Sequence, residues 1–200
     1  QDLFHGMCHP VDLVGVEGCR SERGENGSLK LPLGALFSGQ HREAVVRVRI
    51  HDATVTSSRA LASVRLHFDD PSDGDVPRIQ EVVARAGFSD DQSAVASSEN
   101  AKAKAIMAVL DASKLELGAS QSAGAGQFAA ADHQLAEAQT ALEARAKKTT
   151  DESERTRLVA VARKVAHARA DVQAAPTAAP TAQRNLTLEL NAAGMKAQGF

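Results

Sequence analysis

The chain has 200 residues and a mass of 21.0 kDa, enough for one compact domain or for two small ones. Hydrophobic residues make up 43% and charged residues 24%, close to the globular average, which argues against a wholly disordered chain. The net charge of −2 and the aromatic content of 3% exclude the electrostatic and stacking features of nucleic-acid binding. No apolar run approaches the roughly 20 residues that span a bilayer. We therefore expect neither a nucleic-acid partner nor membrane insertion by this chain.

The first residue and the two cysteines bear on the cellular context of the chain. The chain begins with Gln1 rather than Met, from which we expect a portion of a longer product. Cys8 and Cys19 are its two cysteines. They form a disulfide in an oxidising compartment or remain thiols in the cytosol, and the sequence leaves both open. A periplasmic, cell-surface or extracellular location is slightly favoured.

Alanine divides the chain into two parts. Residues 1–92 contain 7 Ala, whereas residues 93–200 contain 31. Valine and glycine are more frequent before the break, and they are typical of strands and turns, whereas alanine favours helix. The sequence therefore predicts an α+β chain: a β-sandwich-like unit over 1–92, an α-helical hairpin or bundle over 93–174, and a linker with a short helix over 175–200.

The strands of the first part are predicted by alternation of apolar and polar residues. The clearest cases are Ala44–His51 and Ala62–Asp69, each with one largely polar face. That pattern is typical of an antiparallel sheet that is solvated on one side, as in half of a sandwich. The other predicted strands are Val11–Glu17, Leu29–Leu33 and Ile79–Phe88. The predicted turns are Gly24–Ser28, Gly34–Gln40, Thr54–Arg59 and Asp69–Asp75.

Three apolar stripes with alternating three- and four-residue spacing predict three helices in the second part. Gly124–Gly126 separates the first helix, from about Ser97, from the second. Thr149 and Glu152 form a capping-box pattern that opens the third. The stripes are Ala103, Ile106, Leu110, Ser113 and Leu117, then Phe128, Ala131, Leu135, Ala138 and Leu142, and then Leu158, Val161, Val165, Ala168 and Val172.

The bulky residues of the first two helices are expected to form the seam between them. The third helix then either closes this seam or packs against the β unit, and we expect the helices to be the main contact surface for a partner. From Ala174 an Ala/Pro/Thr-rich segment is predicted to be a linker, and Asn185–Gln198 a short helix. The six seam residues are Ile106, Leu110, Leu117, Phe128, Leu135 and Leu142.

Four residues near the start contain the ligand atoms that zinc prefers: His5, Cys8, His9 and Cys19. Structural zinc sites normally show two compact ligand pairs, and the second pair is missing here. We favour a chance cluster, or a disulfide with two surface histidines.

The acidic segment Asp69–Asp75 superficially resembles a calcium loop. An EF-hand loop needs an acid or Asn where Pro71 stands, and Glu where Gln80 stands. We therefore predict an acidic hairpin turn in which Gly74 supplies a positive φ.

No other segment of the sequence carries a catalytic motif. Asp111-Ala112-Ser113 partly matches the metal-binding Asp-x-Ser-x-Ser motif, but Leu115 stands at its fifth position within a helical pattern. His51 and His67 lie on polar strand faces, where solvated histidines are common. The basic residues of the third helix follow acidic ones, as expected of a solvated helix. We assign no catalytic, cofactor-binding or metal-binding residue, and we expect a non-enzymatic chain. The basic residues are Arg155, Arg157, Arg163, Lys164 and Arg169.

Several short motifs occur in one order over about residues 8–173. They are Gly34-x-Leu36-x-x-Gly39-x-x-Arg42 before Val45–Ile50, then Leu61–Pro71 with Gly74, Phe88–Asp91, Ser97–Asn100, and Gly126–Ala131 with Leu135 and Ala138. In this order they resemble the region that follows the von Willebrand factor A domain in a group of bacterial proteins. The resemblance implies a small β-sandwich followed by a helical hairpin. Because the A domain itself is not in this sequence, no metal ligand carries over.

The resemblance implies a non-enzymatic protein-interaction or structural accessory module of a larger A-domain binding protein, with protein partners that include an upstream A domain. A metal-dependent enzyme or hydrolase that uses the His-rich first half is the alternative. The segment from Gly126 to Ala138 is also similar to one helix of a tetratricopeptide repeat. One copy is present, whereas a solenoid needs about three, so we interpret this spacing as helix packing.

Overall fold

The computed structural model describes residues 4–5, 11–17, 20–24, 28–37, 39, 43–51 and 56–197. Strands fill the first half of the chain and helices the second, so the predicted α+β class is confirmed. The chain divides into two compact units, residues 1–99 and residues 100–200.

The first unit contains two antiparallel sheets. A sheet of five strands has the order β3-β4-β1-β6-β7, and a separate pair joins β2 to β5. The strands are β1 (Phe4–His5), β2 (Val11–Glu17), β3 (Glu22–Arg23), β4 (Leu29–Lys30), β5 (Val45–Ile50), β6 (Thr56–Asp70) and β7 (Val76–Phe88).

The two longest strands, β6 and β7, form an antiparallel ribbon that dominates the first unit. Its turn contains a short 3-10 helix, Pro71–Asp73, followed by Gly74 and Asp75 with φ of 72° and 58°. The predicted acidic turn with a positive φ at Gly74 is confirmed. Two irregularities insert extra residues into β6 near Arg59 and Ala60, whereas β7 runs through them regularly.

The alternation predicts the strand cores better than their ends. Val11–Glu17 matches β2, and Val45–Ile50 lies within the predicted Ala44–His51. The predicted turn at Thr54–Arg59 is wrong from Thr56 onward, because β7 is long enough to pair with β6 as far as Thr56. The strand predicted at Leu29–Leu33 ends at Lys30, since Pro32 has no amide hydrogen to donate.

The second unit consists mainly of four long helices, preceded by a short helix of the first unit. Their bounds are α1 (Gln92–Ser97), α2 (Ala101–Gly124), α3 (Phe128–Lys148), α4 (Glu152–Ala174) and α5 (Pro180–Ala197). In packing, α2 contacts both α3 and α5, and α3 contacts α4.

The side chains of Asp91, Asn100 and Asp151 accept hydrogen bonds from backbone amides at the starts of α1, α2 and α4. The Asn100 side chain accepts a hydrogen bond from the Ala103 amide at the start of α2. At the start of α4, Asp151 accepts one from the Glu154 amide at 3.0 Å. The predicted capping box at Thr149 and Glu152 is therefore wrong: Thr149 ends α3, and Asp151, two residues later, supplies the capping oxygen.

The core of the helical unit combines large residues of α3 and α4 with small residues of α2. Leu135 and Leu142 of α3 are fully buried, as are Leu158, Val165 and Val172 of α4. The third predicted helix thus closes the helical core. The α2 residues in the same core include Ala105, Ala112, Ala119 and Ala123.

The predicted seam is correct on α3 and only partly correct on α2. Leu110 is buried, whereas Ile106 and Leu117 are partly exposed and lie outside this core of the described helices. Leu117 instead faces α5, since its Cγ lies 2.7 Å from the place that a Cβ on Gly194 would occupy. Leu117 is therefore a packing residue, but its neighbour is α5, which contains the short helix predicted at Asn185–Gln198, and not α3.

The segment after Ala174 is more ordered than the predicted linker. Ala175–Thr177 forms a 3-10 turn in which Ala175 is buried, and α5 begins at Pro180, five residues before the predicted Asn185. Proline is well accepted in the first turn of a helix, because its missing amide hydrogen has no partner there. Leu186 and Leu190 then bury α5 against the helical core.

Leu135→Ala tests the core of the helical unit. Because Leu135 is 0% exposed, we expect the variant to lower the free energy of unfolding by about 2–5 kcal/mol. Leu188→Ala, in a side chain that is 60% exposed, is the matched control and is expected to change it by about 0.5 kcal/mol or less. Urea unfolding measures both. Equal effects of the two variants would contradict the described α3 register.

Gly194→Ala tests the close approach of α5 to α2. A Cβ at Gly194 would meet Leu117 and, at 3.1 Å, the Ser113 carbonyl oxygen. We expect a loss of about 1–3 kcal/mol in unfolding free energy, although alanine favours helix over glycine.

The control is Gly118→Ala, also within a helix, where the added Cβ meets only the movable end of the Gln134 side chain. Melting temperatures should fall for Gly194→Ala and stay unchanged or rise for Gly118→Ala. A rise for both would show that α5 does not pack this closely.

Candidate protein-interaction surface

Among the residues that the structure describes, most of the large apolar side chains that are exposed belong to the first unit. In the described helical unit, Leu188 and Met195 are the large apolar residues in this class. Those of the first unit are Val14, Leu36, Phe37, Val76, Ile79, Val82, Val83 and Val95. The apolar side chains left exposed among the described residues are therefore concentrated in the β unit, and the expectation that the helices form the main contact surface stays a prediction.

Strand β7 carries half of these exposed side chains. It lies at the edge of the five-stranded sheet and pairs with β6 along its whole length. Val82 is 67% and Ile79 61% exposed, and they point to opposite faces of the ribbon. A long edge strand with apolar side chains on both faces is a recognised site for pairing with another chain.

An apolar groove adjoins β7 on one face of the ribbon. Its lining includes the segment from Pro32 to Leu36, Leu66 and Phe68 of β6, and Gln80 of β7. The groove has a volume of about 680 Å³. Leu36 is half-exposed at its margin. This shape and lining suit an apolar side chain of a protein segment.

Charged side chains flank the apolar ones on β7. On one face, Arg65 of β6 donates to the Glu81 carboxylate at 3.1 Å, and the Ser63 hydroxyl donates to it at 2.5 Å. On the other face, Arg78 forms an ion pair with Asp73 of the turn. Arg85 is exposed and faces Ala60 across the ribbon. The exposed surface of β7 therefore carries charges of both signs beside its apolar side chains.

The residues of the hypothetical zinc site are only partly within the described chain. His5 lies in β1 opposite Ser63, whereas Cys8, His9 and Cys19 are outside the described residues. Among the described residues, no group of three or more His, Cys, Asp or Glu side chains is placed to hold a metal ion.

The other motif residues have local roles. Asp111 pairs with Lys114 within α2, and the Ser113 hydroxyl donates to the Leu110 carbonyl. His51 hydrogen-bonds the Asp12 carboxylate at the exposed surface, joining β5 to β2. His67 lies opposite Ile79 in the ribbon.

Three basic residues of α4, Arg155, Arg157 and Arg169, make ion pairs within the helical unit. Arg169 donates to Asp132 of α3 at 2.7 Å, and Gln173 donates to the same carboxylate at 2.9 Å. The Arg169 hydrogen bond lowers the pKa of Asp132, because it favours the ionised carboxylate. Arg155 pairs with Glu152 in the first turn of α4.

One buried carboxyl group stands apart from these exposed pairs. Glu116 of α2 is almost fully buried. Burial raises the pKa of Glu116, and the positive charge of Lys164 on α4 only partly opposes this effect. We assign Glu116 no chemistry.

The strand predicted at Ile79–Phe88 lies within β7, but neither its position at the sheet edge nor the groove was predicted from the sequence. The alternation of β7 is poor because Val82 and Val83 are adjacent, which places apolar side chains on both faces. The groove had no such signal, because its lining combines the Pro32–Leu36 segment with residues of β6 and β7.

Comparison with protein-family models, curated proteins and solved structures finds no match for this chain. None of the described helices combines the length and the apolar character that crossing a membrane requires.

Glu116→Gln tests the cost of the buried carboxylate. The folded-state pKa lies above the ordinary value of 4.5, so the wild type loses stability as pH rises through the folded pKa. The amide cannot ionise, and we therefore expect the variant to be more stable than wild type at about pH 7, with a smaller difference at about pH 3.5.

Urea unfolding at both pH values measures this difference. Glu137→Gln, in an exposed residue of α3, is the control, and its stability should match wild type within error. A less stable Glu116→Gln at about pH 7 would mean that attraction to Lys164 outweighs the cost of burial.

Proposed function

We propose that this chain is a non-enzymatic protein-interaction module that serves as the accessory region of a larger bacterial von Willebrand factor A-type binding protein. Its first unit binds a protein segment, and its helical unit is a scaffold. In finer detail, we propose that the two sheets form a sandwich-like unit and that α2 to α4 correspond to the helical hairpin of that family.

The observation that supports this proposal best is the joint presence of the groove and the exposed apolar edge strand. Gln80 lines the groove and is also a residue of β7, so a bound segment can reach both. Backbone pairing along a strand edge gives affinity, and pockets for side chains give specificity.

The alternative is a metal-dependent enzyme or hydrolase that uses the first half of the chain. Three of the four ligands considered for it lie outside the described residues, and no observation on the described ones favours it.

Leu36→Asp is the variant that tests the groove. Leu36 is half-exposed, so a carboxylate there places charge at the groove margin with little effect on folding. The immobilised 200-residue chain is exposed to an extract of its source cells, and bound proteins are identified by mass spectrometry. We expect the variant to retain its specific partner about tenfold less than wild type does.

Leu188→Asp is the matched control in the helical unit. It is similarly exposed and lines a second cavity of about 490 Å³ near the start of α5. It should capture the same partner as wild type. Loss of the partner from Leu188→Asp alone would move the binding surface to the helices and overturn the groove.

A further inference from the structure

We propose that the occupant of the β7 edge is the β7 strand of a second copy of this chain, paired antiparallel about a two-fold axis at Val83. This inference rests on the proposed role as an interaction module and names one partner for it. It follows from the edge position of β7, its exposed apolar residues and the spacing of its charges.

The edge is suited to strand pairing. In the described part of the chain, β6 pairs with one side of β7 and no strand pairs with the other. The irregularities of the ribbon are in β6, so β7 keeps the regular backbone on which a further strand can pair. Val83 lies near the middle of this strand.

Symmetry limits the registers that two copies can adopt. The two-fold axis of such a pair is perpendicular to the sheet, so every side chain stays on its own face. Residues that face each other across the axis must therefore be separated by an even number of positions. Glu81 and Arg85, four apart, satisfy this condition, whereas Arg78 and Glu81, three apart, do not.

One symmetric register therefore places opposite charges of β7 directly across from each other. With Val83 opposite its own copy, Glu81 of each chain lies opposite the partner's Arg85, which gives two ion pairs. Val82 lies opposite the partner's Ala84, so the other face is apolar at the axis. Registers centred on Arg78, Glu81 or Arg85 place like charges together, which is destabilising.

The neighbours on β6 fit the same register. Glu81 already accepts a hydrogen bond from Arg65, so the partner's Arg85 would make it the centre of an alternating row of charges. Across the ribbon Arg85 faces the small side chain of Ala60, which leaves its guanidinium to extend toward the edge. An acid from the second copy supplies the opposite charge.

Sedimentation of the full chain at about 50 μM tests the proposal. We expect wild type to have twice the 21.0 kDa mass of one chain. Arg85→Glu places two glutamates opposite each other at both sites, and its dimer dissociation constant should rise at least about tenfold. Arg163→Glu makes an equal change of charge at an exposed position of α4, and this variant should dimerise like wild type.

A mixture supplies the decisive comparison. Glu81→Arg alone and Arg85→Glu alone each oppose like charges, whereas one copy of each restores both ion pairs. We expect the mixture to form dimers that neither variant forms by itself. A monomeric wild type, a dimer insensitive to Arg85→Glu, or a mixture that stays monomeric would overturn the proposal.

Spin labels give a second measurement that does not depend on the stability of Glu81→Arg. In a background with Cys8 and Cys19 changed to Ser, labels at Val83→Cys are expected about 5 Å apart between the backbones of the two copies. Labels at Ile79→Cys are expected about 26 Å apart, from eight residues of strand rise. Equal spectral broadening at both positions would overturn the register.

These results are distinguishable from those of the groove test. A monomeric chain that still captures another protein through Leu36 would leave the proposed function standing and remove the second copy as occupant. A dimer that captures no other protein would support the second copy as occupant of the β7 edge and overturn the groove as a binding site for another protein.

Discussion

The arrangement of the helical unit depends on small side chains along α2. Ala105, Ala112 and Ala119 recur every seven residues and fill little space, so the large residues of α3 and α4 occupy the core beside them. On the adjacent face, Leu117 lies against Gly194 of α5, where even one added carbon would be too close. α2 can therefore pack against other helices on two faces. Its alanines bury little apolar area, so they contribute little hydrophobic stabilisation themselves. The stability of the unit thus rests on the leucines and valines contributed by α3, α4 and α5.

The first unit has fewer buried apolar side chains among its described residues than the helical unit has. Leu29 and Leu31 are its fully buried large residues among those described, with Ala62 buried on β6. Most of the 13 residues of β7 are exposed, and apolar ones lie on both faces. A ribbon of this length with so small a described core leaves apolar area in water, which is a feature of interaction surfaces rather than of a self-sufficient sheet. The groove beside Leu66 and Phe68 is the concave part of the same surface.

Local pattern determined what could be predicted, and distant partners determined what could not. The period of two identified β2 and β5, because the alternation is in the strand itself. It missed β1 and β3, which have two residues each and are defined by the strands that they pair with. The apolar stripe of α2 was visible in the sequence, but the helix that packs against Leu117 was not. That helix is α5, which packs through Gly194, Leu186 and Leu190, far from α2 along the chain. The groove is likewise a contact between segments far apart in sequence, and no local spacing records it.

The exposed edge shows how charge and apolar area act together. Apolar residues on both faces of β7 would favour pairing with many strands, and Arg78, Glu81 and Arg85 restrict that choice. Symmetric registers centred on Arg78, Glu81 or Arg85 place like charges together, and the remaining symmetric registers, apart from the proposed one, give Arg85 no opposite charge of β7 across the edge. The apolar side chains therefore supply the attraction, whereas the parity of the charge spacing selects the register. Because Arg65 and Ser63 of β6 donate hydrogen bonds to Glu81, its carboxylate is already held in place before a second copy binds.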